Sequence, residues 1–271
     1  MIFILGHSQN ETTQFLSKQK LCTVRLMNSQ STLFLLQWYQ ENGIEFPLSD
    51  QPRTQQGEAF VATDHKPEKK TSIPLGNEHP AYSCYTLQEL KQALLNFEGC
   101  SLKETAMNLV FADGNPKADV MLVGEAPGAD EDRQGLPFVG QSGQLLDKIL
   151  KSIGLDRTCV YISNIIPWRP PGNRPPTTQE IALCQPFIQQ HINLVQPKIL
   201  ILLGGVAAKT LLNRTEGIMR LRGQWQNYML HKGQSIKTLA TFHPAYLLRS
   251  PGQKSLAWRD FLMVRKELEQ L

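Results

Sequence analysis

No Cys-x-x-Cys pair occurs anywhere in the chain, and its five cysteines, Cys22, Cys84, Cys100, Cys159 and Cys184, are odd in number and widely spaced. That pattern argues against a disulfide scaffold and fits reduced thiols. Long apolar runs are missing as well: stretches such as Ile199 to Leu203 fall far short of a bilayer span. The opening Met1 to Leu5 lacks the basic flank and the length of a secretory signal. A cytoplasmic protein is therefore expected. Acidic residues are scarce in the second half. Residues 157 to 265 carry 14 Lys and Arg against only Glu180, Glu216 and Asp260, a net +11, whereas residues 1 to 85 sum to −1. The overall charge of +4 hides this asymmetry, which marks a candidate polyanion-facing surface, with a merely solvated basic face as the competing reading. With 41% hydrophobic residues, the 271-residue chain has material for one α/β core and an appendage.

Composition shifts along the chain. Residues 31 to 46 read as a short helix begun by Ser31 and Thr32 and ended near Gly43. The first 26 residues show no pattern, and Met27 is a candidate alternative start. From Pro47 the sequence is polar, aperiodic and rich in Pro, Gln, Thr and Lys, as a flexible linker is. The expected organisation is an extension over residues 1–46, a linker over 47–85 and a folded domain over 86–271.

Thr86 to Phe97 reads as an amphipathic helix with Thr86 as its cap and Glu89 at the capping-box position. Four nearly all-apolar runs follow, Asp119 to Val123, Cys159 to Ser163, Lys198 to Leu203 and Ile236 to Thr241. Helical patterns separate them: Ser142 to Ile153, Thr178 to Val195 and Val206 to Leu212, with a last one from Lys254. Continuous apolar strands alternating with helices predict a three-layer α/β/α sandwich around a four-stranded parallel sheet, preceded by a helical or disordered extension.

In open sheets of this kind, functional residues collect beyond the carboxyl ends of the strands. That places together Gly124 to Gly128, Asn164 to Arg174, Gly204-Gly205 and His243 to Arg249. A dinucleotide loop at Gly124 to Gly128 is disfavoured, because the run is not G-x-G-x-x-G and holds Pro127. In order and spacing, Gly124-Glu-Ala-Pro-Gly-Ala-Asp-Glu-Asp132, Gly135-Leu-Pro-Phe-Val-Gly-Gln-Ser-Gly-Gln-Leu-Leu-Asp147, Asn164 with Arg169-Pro-Pro-Gly-Asn-Arg174, and His243-Pro-Ala-Tyr-Leu-Leu-Arg249 closely resemble the family-4 uracil-DNA glycosylases. The match spans about residues 97 to 271.

The resemblance implies an enzyme that flips uracil out of DNA and hydrolyses its N-glycosidic bond, leaving an abasic site. It assigns Phe138 as the ring on which the base stacks, against the plainer reading of a core Phe, and Asn164 as the reader of the uracil edge, against a capping Asn. His243 would donate to uracil O2 as charge develops there; a satisfied core histidine is the alternative. Glu125 is assigned to the attacking water or the sugar's positive charge. Glu131 is assigned, with Asn173, to bracing the pocket and crowding the position where thymine carries its methyl. Ser142, Arg169, Arg174 and Arg249 fall to phosphate binding, and Leu247 to the wedge that enters the vacated stack. Asp130 and Asp132 read as surface or capping groups.

Family-4 enzymes carry a 4Fe-4S cluster on four cysteines. At the corresponding positions this chain has Phe97, Cys100, Trp168 and Cys184, and two thiolates cannot serve a cluster that needs four ligands. No cofactor or metal is expected, and Phe97 and Trp168 are expected to fill the cluster's volume. The implied partner is uracil-containing DNA, single- or double-stranded, bound by a monomer away from any membrane. The alternatives are a protein that binds or covalently traps uracil-DNA without turnover, although Asn213 to Trp225 holds no histidine for trapping, and a small-molecule nucleoside hydrolase, which the +11 half disfavours.

Overall fold

The computed structural model describes residues 79–231 and 233–271. The helix expected over 31–46, the candidate start at Met27 and most of the expected linker lie outside the described residues. The end of that linker is packed rather than free. Pro80–Ser83 form a 3₁₀ turn, and Ala81 and Cys84 are buried in the main hydrophobic cluster. Two apolar residues in a polar stretch gave no periodicity to detect.

In chain order the turn is followed by α1 (Leu87–Asn96), α2 (Leu102–Thr105), β1 (Asp113–Gly114), β2 (Val120–Gly124), α3 (Ala129–Gln134) and α4 (Gln141–Ser152). Then come β3 (Val160–Asn164), α5 (Thr178–Val195), β4 (Ile199–Leu203), α6 (Gly205–Leu212) and α7 (Ile218–Leu221). β5 (Trp225–Met229), β6 (Ser235–Thr241), α8 (Pro244–Arg249) and α9 (Lys254–Leu268) complete the chain. The Thr86 capping box forms as read: Glu89 N–H donates to Thr86 Oγ1 at 3.1 Å and Thr86 N–H to Glu89 Oε2 at 3.1 Å.

The sheet has six strands in the order β1-β3-β2-β4-β6-β5, not four. The four expected strands form its parallel centre. β1 and β5 are added at the two edges, each antiparallel to its neighbour. Both lacked the signal of a buried strand: β1 is a two-residue bridge, and only Tyr228 of β5 is buried. An edge strand needs cover on fewer sides, so its sequence stays polar.

β2, β3 and β4 are buried at every position, which requires cover on both faces. Alternate side chains supply the two interfaces. Met121, Val123, Tyr161, Leu200 and Leu202 pack with Leu90, Phe187, Ile192 and Ala208 from α1, α5 and α6. Val120, Leu122, Ile162, Ile201 and Leu239 pack with Leu146, Leu150, Phe261 and Val264 from α4 and α9. The register that results pairs Gly124 with Asn164 at the carboxyl ends of β2 and β3, and Leu203 with Thr241 at those of β4 and β6. No described helix is long and apolar enough to cross a membrane.

Candidate active site

A cleft of about 490 Å³ opens at these strand ends, and Glu125, Glu131, Phe138, Asn164, Asn173 and His243 all line it. Ser142, Arg174, Tyr246 and Arg249 lie on the same cleft. Four segments far apart in sequence thus converge because the parallel strands all deliver their following loops to one end. Gly204 and Gly205 do not line it. Gly204, at φ 97°, instead lies against His243, where an added Cβ would stand 3.0 Å from the His243 Cβ.

Asn164 ends β3 and is 5% exposed, and its Oδ1 is buried without a hydrogen-bond partner in the protein. A buried carboxamide oxygen left unpaired is costly, by about 1 to 3 kcal/mol, unless something else satisfies it. Gly124 makes room beside it: a Cβ there would fall 2.4 Å from Asn164 Oδ1 and 2.5 Å from Phe138 Cζ. The Phe138 ring is only 4% exposed and stacks on the His243 ring, with centroids 5.4 Å apart and planes at 29°. Its backbone lies in the left-handed region at φ 56°, which an aromatic residue adopts only when its surroundings hold it there.

His243 caps α8 through its ring: Nδ1 accepts from the Ala245 N–H at 3.1 Å. The proton of the neutral ring therefore sits on Nε2. Burial, and secondarily the charge of Arg249, push its pKa down to about 4, so the ring is neutral near pH 7. Burial raises the pKa of Glu125 above the ordinary carboxylate value.

Glu131 is not a free acid. Oε1 accepts from the Val139 and Gly140 N–H groups at 3.0 and 2.9 Å, and Oε2 from Gly128 N–H at 3.1 Å. It ties the first motif loop to the second, and no hydrogen bond joins it to Asn173 among the described residues. Asn173 accepts instead from Arg169 Nε at 2.7 Å. Asp132 is buried and accepts from the Met107 and Asn108 N–H groups, as a capping group would, while Asp130 pairs with Arg133 on the surface.

The basic residues divide. Arg249 is exposed on the cleft. Arg174 lines the cleft and gives both Nη groups to Glu180, at 2.9 and 2.6 Å, with its side chain still 42% exposed. Arg169 does not line it. Nor does Leu247, which is fully buried with Phe242 and Ala257 and so cannot project as a wedge; its neighbour Leu248 is 40% exposed. One residue along a helix turns the side chain by about 100°, enough to exchange core for solvent. Arg157, which no local motif marks, bonds the carbonyls of Pro137 and Phe138 through its guanidinium. Its carboxylate partners Asp113 and Asp147 lie 44 and 10 positions away, beyond any local pattern.

Phe97, Cys100, Trp168 and Cys184 all belong to the hydrophobic cluster on the α5 side of the sheet. Cys100, Trp168 and Cys184 are buried in one cluster, and Phe97 packs on it edge-on to Phe187 with centroids 5.0 Å apart. Cys100 and Cys184 influence each other: the neighbouring Cys184 thiol lowers the pKa of Cys100, while Cys100 together with burial raises that of Cys184. Two thiols and two rings do not fit a four-thiolate group, and no cluster of three or more His, Cys, Asp or Glu able to hold a metal occurs among the described residues.

An open, mostly parallel sheet whose strand ends bring a carboxamide, a carboxylate, a neutral imidazole and an aromatic ring into one cleft defines an α/β protein suited to a planar polar heterocycle. The family model of the uracil DNA glycosylase superfamily matches residues 111–262, and the chain belongs to that superfamily. The type-4 uracil-DNA glycosylase of Sulfurisphaera tokodaii is 35% identical over 189 residues, 67% of this chain and 84% of that protein. Those of Pyrobaculum aerophilum and Thermotoga maritima are 37% and 36% identical, over 65% and 61% of this chain and 92% and 87% of their own lengths.

Proposed function

We propose that the chain is a DNA-repair glycosylase that binds uracil-containing DNA, turns the uracil nucleotide into the cleft and hydrolyses its N-glycosidic bond. Family membership supports the activity. The observation that carries the residue assignment is the unpaired, buried Asn164 Oδ1 beside the Phe138 ring. Uracil suits this carboxamide: its N3–H donates to Oδ1 while Nδ2 donates to O4, whereas cytosine presents an acceptor at N3 and is refused. The ring of Phe138 carries the base face, a contact of about 1 to 3 kcal/mol.

Bond cleavage leaves negative charge on uracil and positive charge on the sugar. His243 Nε2–H, neutral and already oriented by Ala245, donates to O2 as that charge grows. Glu125, as a carboxylate, offsets the sugar charge and orders the attacking water. Glu131 and Asn173 shape the walls. Arg249 and Ser142 hold phosphate at the rim, and Leu248 takes the wedge role that burial denies Leu247. The reading has the protein working as a monomer without an iron-sulfur cluster, because Phe97 and Trp168 occupy ligand positions. Metal analysis of purified protein is expected to return no stoichiometric iron.

Incubation with a uracil-bearing oligonucleotide, then alkali, should cut the strand at uracil. His243→Ala and Asn164→Ala should each lower kcat by about 10²-fold or more, the scale of removing one donor to a developing anion. An uncut strand with retained binding would favour a protein that recognises uracil-DNA without turnover.

A further inference from the structure

Residues 137–140 carry the stacking ring, and opposite charges clamp their backbone from two sides. Glu131 takes the N–H groups of Val139 and Gly140. Arg157, just before β3, takes the carbonyls: Nη1 donates to Pro137 O at 3.1 Å and Nη2 to Phe138 O. The guanidinium is itself immobilised, since Nη1 also donates to Asp113 Oδ2 at 2.6 Å and Nε to Asp147 Oδ1 at 2.9 Å. Its planar fork thus joins the β1 edge, α4 and the loop in one arrangement, which an ammonium could not reproduce. Gly143 in the first turn of α4 permits the geometry, because a Cβ there would lie 1.7 Å from Phe138 O.

We propose that Arg157 is a positioning residue for catalysis: by holding the Pro137 and Phe138 carbonyls it keeps Phe138 at its positive φ and the ring beside Asn164 and His243, where the flipped base must stack. The proposal rests on the stacking role given to Phe138 above. Nothing else in the described residues bonds these two carbonyls, so losing the guanidinium frees the loop to relax toward an ordinary φ. Arg157 touches no substrate, and its effect passes through the ring alone.

A double-mutant cycle on the full chain tests this. Arg157→Met should lower kcat on a uracil oligonucleotide by about tenfold, the scale of coupling between groups in contact, with little change in KM. Combined with Phe138→Ala it should add no further loss. Multiplying losses, or an unchanged kcat, would overturn the proposal. If Arg157→Met does not fold, Asp147→Asn, which removes the charge that Nε faces and so weakens only that contact, takes its place in the cycle with a smaller expected loss. A second readout does not depend on activity. In protein labelled with 4-fluorophenylalanine, the Phe138 resonance, assigned through Phe138→Leu, should shift or split in Arg157→Met or Asp147→Asn. An unmoved resonance overturns the positioning role even if the wild-type protein releases no uracil, a failure that would count against the glycosylase reading instead.

Discussion

Gly124 needs no positive φ, yet only its lack of a side chain lets Asn164 Oδ1 and the Phe138 ring lie so close to the end of β2, since a Cβ there would stand 2.4 Å from Oδ1 and 2.5 Å from Phe138 Cζ. Gly124→Ala puts a methyl group there, and kcat/KM on uracil oligonucleotides is expected to fall at least about tenfold, the scale on which pocket contacts of one methyl group discriminate. Thermal stability should fall as well, because the methyl overlaps Asn164 and Phe138 atoms that are themselves buried and must shift. Two histidines show how far residue identity alone reaches. His191 is sealed in the core, 2.8 Å from the Tyr161 hydroxyl, and burial holds its pKa near 3. His243 is also depressed by burial but lines the cleft. Only the motif around His243 distinguished them in the sequence. At Leu247 and Leu248 the motif could not, because which of two adjacent leucines faces the core depends on how α8 packs.

Helices and strands carry these atoms to their places. The four central strands were readable because burial on both faces demands unbroken apolar runs. The edge strands and the 3₁₀ turn at Pro80–Ser83 were not, since none of them holds more than one buried residue. α5 shows a capping box merged with an ion pair: Thr177 Oγ1 accepts from Glu180 N–H at 3.2 Å, while the Glu180 carboxylate accepts from Thr177 N–H at 2.7 Å and from Arg174. The Arg174 guanidinium, with Thr177, holds the Glu180 pKa down to about 2, below its ordinary 4.5. A carboxylate depressed by folding contributes stability above pH 4.5 and loses it as pH falls from 4.5 toward about 2. Arg174→Met is expected to lower stability above this window and to flatten the acid loss within it, as urea unfolding at a series of pH values would read. Since Arg174 also lines the cleft, the ion pair links the start of α5 to the shape of the site.

Across the whole molecule the second half is strongly basic, with a net +11 over residues 157 to 265. DNA binding through such a surface releases counterions, so KM for an oligonucleotide should rise steeply with salt while kcat stays nearly constant. Arg249→Ala should reduce the slope of log KM against log salt by about 0.7 to 0.9, the increment for one phosphate contact. A slope unchanged by this substitution would remove Arg249 from the DNA surface.

The amino-acid sequence by itself determined the class of fold, the order of the central elements and the family, because apolar periodicity and four spaced motifs are properties of neighbours along the chain. It also marked Glu125, Phe138, Asn164 and His243 as candidates. What only the tertiary structure decided was the use of each group: Glu131 spent on three backbone N–H groups, Arg174 on Glu180, Leu247 on the core, and Arg157 on the loop beneath the ring. Those outcomes depend on which donors and acceptors packing brings within about 3 Å, and residues distant in sequence meet at that range only once the sheet has formed.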